Sequence, residues 1–277
     1  MKILEDQNLD KYTTVHIGGT AKRILSPEST EELIELIEKE NPEYFIGGGS
    51  NLLIADREFD LVVDLRNFNK EFVHQGDGIF RAGASVRLQE LINEINECGY
   101  GGIEYLYSVP GLVGGAVVMN AGRGKKYNQA VSDYIISVDV VRDGKIVTVT
   151  KENCGFSYRN SIFRNGTDIV VSCLFKFPEM GSEESAQRKK ERLELCRKVQ
   201  DSSKPNFGTV FCESNGRIMN YVKKHKTGGK VHFSGKTPNW ILNDGGSFDD
   251  AISAIRKVEL YHKLLFKKCK REVIVWE

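Results

Sequence analysis

Two glycine-rich stretches carry the first chemistry legible in this 277-residue chain. One is Gly47-Gly48-Gly49-Ser50-Asn51, which follows the apolar run Tyr44-Phe45-Ile46. The other is Ser108-Val109-Pro110-Gly111-Leu112-Val113-Gly114-Gly115-Ala116, trailed by Met119-Asn120-Ala121-Gly122. Backbone N–H groups in loops without side chains can approach and surround phosphate oxygens, so these segments suit a phosphate-bearing ligand. The sequence has neither GxxxxGK[ST] nor a GxGxxG leading from a strand into a helix, so it supports neither a P-loop nor a Rossmann site. Leu52-Leu53-Ile54 reads as extended, which makes the first cluster a loop between strands that can form an anion-binding nest. Metal chemistry has no support: the six cysteines stand singly and the five histidines show no paired spacing.

The elements that must hold these loops follow from hydrophobic periodicity. Ser29-Thr30-Glu31-Glu32 reads as a capping box, with Leu33, Ile34, Leu36 and Ile37 at helical spacing behind it. Leu61–Leu65 reads as a strand, and Leu88, Leu91, Ile92 and Ile95 as a helix that Gly99 ends. Asp143-Gly144 predicts a hairpin turn between strands at 135–141 and 146–149, followed by a strand at 169–177. Residues 182–201 predict a charged helix that leads into a second unit. That unit reads as strand 209–212, helix 217–225, strands 231–233 and 240–243, helix 249–268 and a last strand at 272–276. The boundary is placed between residues 178 and 179.

Charge divides at the same point. Residues 1–178 hold 19 Lys+Arg and 25 Asp+Glu, a balance of −6, whereas residues 179–277 hold 20 and 13, a balance of +7; the total is +1. A basic C-terminal part suggests an anionic partner there, with Lys223, Lys224, His225, Lys226 and Lys230 as candidates for steering it. With 40% apolar and 28% charged residues the composition is that of a soluble globular protein. The acidic start Glu5-Asp6 argues against a secretory signal, and no apolar run is long enough to span a bilayer. Scattered single cysteines then read as reduced thiols of a cytoplasmic protein. The basic residues lack interleaved aromatics and any nucleic-acid motif, so no nucleic-acid partner is expected.

The pairing of GGGSN with PGxVGGAxxxNAG resembles the MurB family of UDP-N-acetylenolpyruvoylglucosamine reductases. Thr14-Val15-His16-Ile17-Gly18-Gly19, Gly83-Ala84, Gly102-Ile103-Glu104 and Tyr158-Arg159-Asn160-Ser161-Ile162-Phe163 match further family motifs in order. The resemblance runs from about residue 12 to the C-terminus. It implies an α+β architecture: an FAD-binding fold of the vanillyl-alcohol oxidase/p-cresol methylhydroxylase type over 1–178, with two α+β subdomains, and a smaller C-terminal α+β substrate domain over 179–277. It also implies that FAD is held by Gly47, Gly48, Gly49, Ser50, Asn51, Pro110, Gly111, Gly114, Gly115, Asn120 and Gly122.

The family's reaction, with NADPH as reductant, implies the remaining roles. Negative charge develops at the carboxylate of an enolpyruvyl UDP-sugar, so a cation or donor must meet it and an acid must protonate the adjacent carbon. Arg159 matches the first of these, since a guanidinium grips a carboxylate with two parallel hydrogen bonds. Glu272 matches the family's C-terminal glutamate. Thr209 stands where the family's proton-donating serine usually does, in Gly208-Thr209-Val210-Phe211. Its hydroxyl is kept, but its methyl stiffens χ1. Cys212-Glu213-Ser214 also departs from the usual Lys-Asn-Pro. Tyr158, Lys236 and Asn243 match substrate-side positions. The chain is thus expected to be a monomeric cytoplasmic enzyme of peptidoglycan precursor synthesis, without membrane attachment. Two readings stay open beside it: a divergent FAD-dependent oxidoreductase acting on another substrate, and a flavin-binding protein without turnover.

Overall fold

The computed structural model describes residues 1–225 and 229–277, so Lys226 of the basic cluster lies outside the described residues. Among the described residues six α-helices form: α1 (Thr30–Glu40), α2 (Leu88–Glu97), α3 (Val113–Val118), α4 (Ser182–Val199), α5 (Gly216–His225) and α6 (Phe248–Leu264). Ser29 accepts from the Glu32 amide at the start of α1, and Asn41 closes that helix in the left-handed conformation. Helix α3, on the second glycine-rich segment, is the helix that periodicity did not foreshadow, and the strands Lys2–Asn8, Thr20–Ser26 and Phe72–His74 were not foreshadowed either.

The contacts divide the chain into two units. One comprises Met1–Ile3, Ile24–Gly48 and Leu61–Glu194; the other comprises Leu4–Arg23, Gly49–Asp60 and Leu195–Glu277. They do not follow the expected boundary at 178/179. Most of α4 belongs with the first unit. Residues 49–60 belong with the second because the strand Leu52–Ile54 pairs in parallel with Ile274–Trp276.

The first unit is built on a five-stranded antiparallel sheet in the order Lys145–Thr150, Ile135–Arg142, Ile169–Lys176, Ile79–Gly83, Phe72–His74. Asp143 and Gly144, both at positive φ, make the expected hairpin turn. Phe80, Val138, Val140, Cys173 and Phe175 on one side of this sheet meet Leu91, Ile92 and Ile95 of α2 and Val113 and Val117 of α3 in one core. The short parallel pair Phe45–Ile46 with Val63–Asp64 carries α1 over a smaller core of Leu33, Leu36, Val63 and Val171. The Phe45–Ile46 strand ends at the first glycine cluster.

The second unit has short strands around one apolar cluster that includes Val15, Leu53, Val210, Phe211, Phe233 and Val273. Phe211–Glu213 pairs antiparallel with Lys270–Arg271, and Val231–Phe233 with Ile241–Asn243. Helices α5 and α6 press Ile218, Met219, Val222, Ile252, Ile255 and Val258 onto that cluster. Helix α6 starts at Ser247, whose hydroxyl accepts from the Asp250 amide, while Asp56 accepts from the Phe248 amide. It ends four residues earlier than the pattern predicts, and the expected last strand at 272–276 is shortened to Ile274–Trp276, with a separate two-residue strand, Lys270–Arg271, ahead of it.

Candidate functional site

Within the first unit, the Gly47-Gly48 part of the first glycine-rich segment meets the second segment. A β-carbon added to Gly48 would lie 3.7 Å from the Gly111 Cα and 3.5 Å from the Leu112 side chain, so their backbones run side by side. Among the described residues, none of the backbone N–H groups of 47–51 donates to a protein acceptor, whereas the Gly49 and Asn51 carbonyls accept from Thr14 and Ile274. Gly49 has φ +60, and any side chain there would overlap the Tyr12 carbonyl; only glycine fits. Adjacent donors without acceptors, bared by glycines, suit an anionic diphosphate.

The second segment contributes less than expected. Pro110 has no N–H. The amides of Gly111, Val113 and Gly114 donate to the carbonyls of Val109, Val86 and Ala84. Gly114 is there for packing, since its added β-carbon would sit 3.0 Å from that of Ala84. Gly115 has open space above it, which leaves it the position on this segment where a ligand can approach. Asn120 also turns inward: its amide donates to the Ser157 carbonyl at 2.9 Å and its oxygen accepts from the Ser132 amide at 3.3 Å.

That inward turn positions Tyr158 and Arg159. Ser157 and Asn160 exchange backbone hydrogen bonds at 3.0 and 3.1 Å, which makes Tyr158 and Arg159 the two corner residues of a tight turn. Arg159 has φ +55, a conformation that costs an L-residue about 1–2 kcal/mol. Asn120 grips the Ser157 carbonyl, Arg164 donates to the Arg159 carbonyl at 3.0 Å, and the Ser161 hydroxyl donates to Val118 at 2.7 Å. The Arg159 guanidinium donates to the Gly122 carbonyl at 2.8 Å, so the glycine that closes the NAG motif aims the arginine. Tyr158 is exposed. A residue that the motifs missed, Tyr105, lies within electrostatic reach of Arg159. Burial holds its phenol far above the usual range, and its hydroxyl has no hydrogen-bond partner among the described residues.

In the second unit, Thr209, Glu272 and Asn51 come together. The Glu272 amide donates to the Val210 carbonyl at 2.8 Å, and the Asn51 side chain donates to the Glu272 carbonyl at 3.2 Å. The residue next to Thr209 is therefore bonded to Glu272, which is bonded to the end of the first glycine loop. Glu272 is 9% exposed. Thr209 follows Gly208, whose φ is +75, and bridges to Trp240. Asn239, which sequence reasoning passed over, clamps this strand. Its oxygen accepts from the Phe211 amide at 3.1 Å, its amide donates to the Phe211 carbonyl at 2.7 Å, and its backbone carbonyl accepts from Val210 at 3.0 Å. Only its place in the Pro238-Asn239-Trp240 segment could have signalled it.

The two other substrate-side candidates are occupied by the protein. Asn243 is 5% exposed and donates to the carbonyls of Val15 and His16 while accepting from the Gly246 amide, so its side chain pins loops. The Lys236 ammonium is exposed and donates to the Arg197 carbonyl at 2.8 Å. A cavity of about 670 Å³ is lined by Asp10, His16, Asp56, Lys230 and Asp250; it includes Lys230 of the basic cluster but none of the expected catalytic, cofactor or substrate residues.

Comparisons with known proteins show what the chain is similar to. The FAD binding domain family model matches residues 21–150. UDP-N-acetylenolpyruvoylglucosamine reductase of Carboxydothermus hydrogenoformans is 32% identical, covering 96% of this chain and 90% of the relative. The enzyme of that name from Fusobacterium nucleatum is 30% identical, covering 94% and 93%. The crystal structure of UDP-N-acetylenolpyruvylglucosamine reductase (MurB) from Thermus caldophilus superposes with a TM-score of 0.83 at 28% identity over the whole of both chains.

Proposed function

This chain belongs to the UDP-N-acetylenolpyruvoylglucosamine reductase (MurB) family, and on that premise we propose a division of labour among its residues. It is an FAD-dependent enzyme of peptidoglycan precursor synthesis that reduces UDP-N-acetylenolpyruvoylglucosamine to UDP-N-acetylmuramate with NADPH, and it acts as a cytoplasmic monomer. Bound FAD supplies the two-electron relay from NADPH to the enolpyruvyl double bond.

The amides of Gly47–Asn51 and the face above Gly115 hold the cofactor's diphosphate. Arg159 grips the substrate carboxylate, where negative charge accumulates, and its strained turn keeps the guanidinium from reorganising as the charge grows. Thr209 carries on its Oγ1 the proton delivered to the substrate carbon. Glu272 completes the polar surface beside it. Tyr158 and Lys236 contact the sugar nucleotide, Lys236 as a point charge for a diphosphate. Asn243 is left out of this set because its amide is fully engaged.

One observation carries the reading: the Glu272 peptide is bonded to Val210 on one side and to Asn51 on the other, which ties the donor strand to the flavin loop. The test is anaerobic reduction of the FAD-loaded protein by NADPH, followed by addition of the enolpyruvyl UDP-sugar. Reoxidation by that substrate is expected. Flavin reduction without reoxidation would instead favour a paralogue acting on another substrate.

A further inference from the structure

The end of α6 leaves its largest apolar groups in solvent. The helix seats Ala251, Ile255, Val258 and His262 in the core, and Leu260 and Leu264, one turn apart, lie on its outer side. Leu260 is 50% exposed, Leu264 63%, Leu265 58% and Phe266 95%. Contiguous exposed apolar groups of this size mark an interaction surface more often than chance.

The backbone presents them deliberately. The Phe266 amide donates to the Lys263 carbonyl at 3.2 Å and the Lys267 amide to the His262 carbonyl at 2.8 Å. This is the helix-ending pattern in which the residue before the second donor adopts the left-handed conformation, a place usually given to glycine. Here Phe266 occupies it at φ +53. The chain thus holds an aromatic ring, at a backbone cost, where the ring touches least of the protein.

The charge around the tip indicates its partner. Lys263, Lys267 and Lys268 flank the four apolar residues, all are exposed, and none forms an ion pair among the described residues. The carboxylate just before the tip, Glu259, is held by Arg271 in a two-pronged pair at 2.8 Å. An apolar wedge with uncompensated lysines at its rim complements one environment: acyl chains beneath anionic headgroups. A second copy would bring like charge against like.

We propose that the α6 tip, residues 260–268, is a peripheral docking surface for an anionic phospholipid bilayer, with Phe266 as the inserted residue. No helix among the described residues is long and apolar enough to cross a membrane. That rules out a helical span for these residues, not surface attachment, and the proposal revises the expectation of no membrane contact. One inserted aromatic with three lysines gives weak, reversible partition.

Co-sedimentation of the full-length, FAD-loaded protein tests it, with vesicles of phosphatidylcholine alone and of phosphatidylcholine mixed with phosphatidylglycerol. Binding is expected only to the mixed vesicles and should weaken with salt. Phe266→Gly should lower partition roughly tenfold by removing the inserted side chain. It should also raise Tm by about 2 °C, since glycine relieves the left-handed strain, and leave reductase activity unchanged. Lys267→Ala with Lys268→Ala should lower partition about 25-fold, near fivefold per lysine. No binding to mixed vesicles at low salt would overturn the proposal. So would partition that responds to the lysines and ignores Phe266, because charge alone would then explain it. Self-association abolished by Phe266→Gly, without vesicle binding, would assign the surface to a second copy instead.

Discussion

Replacing Asn239 by alanine should separate the two halves of the reaction. The side chain makes two hydrogen bonds to the Phe211 backbone, one in each direction, at 3.1 and 2.7 Å. Phe211 is 2% exposed, so its amide and carbonyl have little access to water once the clamp is gone. Each orphaned group costs about 1–3 kcal/mol, giving about 3 kcal/mol for the pair after partial relaxation. For a chain of this size that corresponds to a fall in Tm of roughly 6–10 °C. Thr209 lies two residues before Phe211, just ahead of this strand, and a displacement of about 1 Å at a reacting group can slow a step 100-fold. Stopped-flow absorbance of the bound flavin is the assay. Reduction by NADPH should keep its wild-type rate, while reoxidation by the enolpyruvyl UDP-sugar slows about 10- to 100-fold. If Tm falls as expected and both half-reactions are unchanged, Asn239 holds the fold and does not position Thr209. If flavin is lost, the clamp supports the cofactor instead.

Arg159→Ala should retain FAD and lose about 10²–10³ in kcat, because the charge that loses its partner develops in the transition state; flavin content and steady-state rates read both. Thr209→Ser should match or exceed the wild-type rate, and Thr209→Ala should block flavin reoxidation while leaving reduction by NADPH intact; an unimpaired alanine variant would place the donor elsewhere. Burial raises the Asp139 carboxyl, but hydrogen bonds from Thr148 and Ser172 and the Arg81 guanidinium outweigh it and hold the group below its ordinary value. Its stabilisation is therefore complete above the unfolded pKa of about 4 and is lost as pH falls through the folded one. Asp139→Asn should thus flatten the acid limb of a Tm-against-pH curve; an unchanged limb would mean that other carboxyls set it.

Much of the fold was legible because its elements obey simple periods. Of the strands about Asp143-Gly144, residues 146–150 alternate in burial, and that dipeptide tolerates the positive φ that a two-residue hairpin demands. Helices α1, α2 and α5 lie within a residue or two of their apolar spacing. The division into units was not legible, because the parallel pairing of Leu52–Ile54 with Ile274–Trp276 joins segments that no local pattern connects. Helix α3 was hidden for a related reason. Its two glycines argue against a helix by propensity, and what fixes it is the docking of Val113 and Gly114 onto the carbonyls of Val86 and Ala84.

At the candidate site, residue type predicted identity better than role. Gly114, Asn120 and Asn243 were singled out as ligand contacts, yet the first packs against Ala84 and the two asparagines tie loops together. A ligand contact and a loop-fixing contact call for the same residue types, since both need small backbones or forked amides in irregular chain. What separates them is whether the protein already occupies the donors. By that criterion Gly47–Asn51 keep their amides available and Gly111, Val113 and Gly114 do not. The left-handed Arg159 and Phe266 show the converse. No sequence rule assigns positive φ to arginine or phenylalanine, so at both positions the neighbouring backbone bonds must impose it. At Arg159 the turn aims a guanidinium at the Gly122 carbonyl beside the glycine-rich segment; at Phe266 it holds a ring out in solvent. Relieving the strain should therefore have opposite consequences for activity: Arg159→Gly removes the partner of the developing charge and slows turnover as Arg159→Ala does, whereas Phe266→Gly leaves turnover untouched.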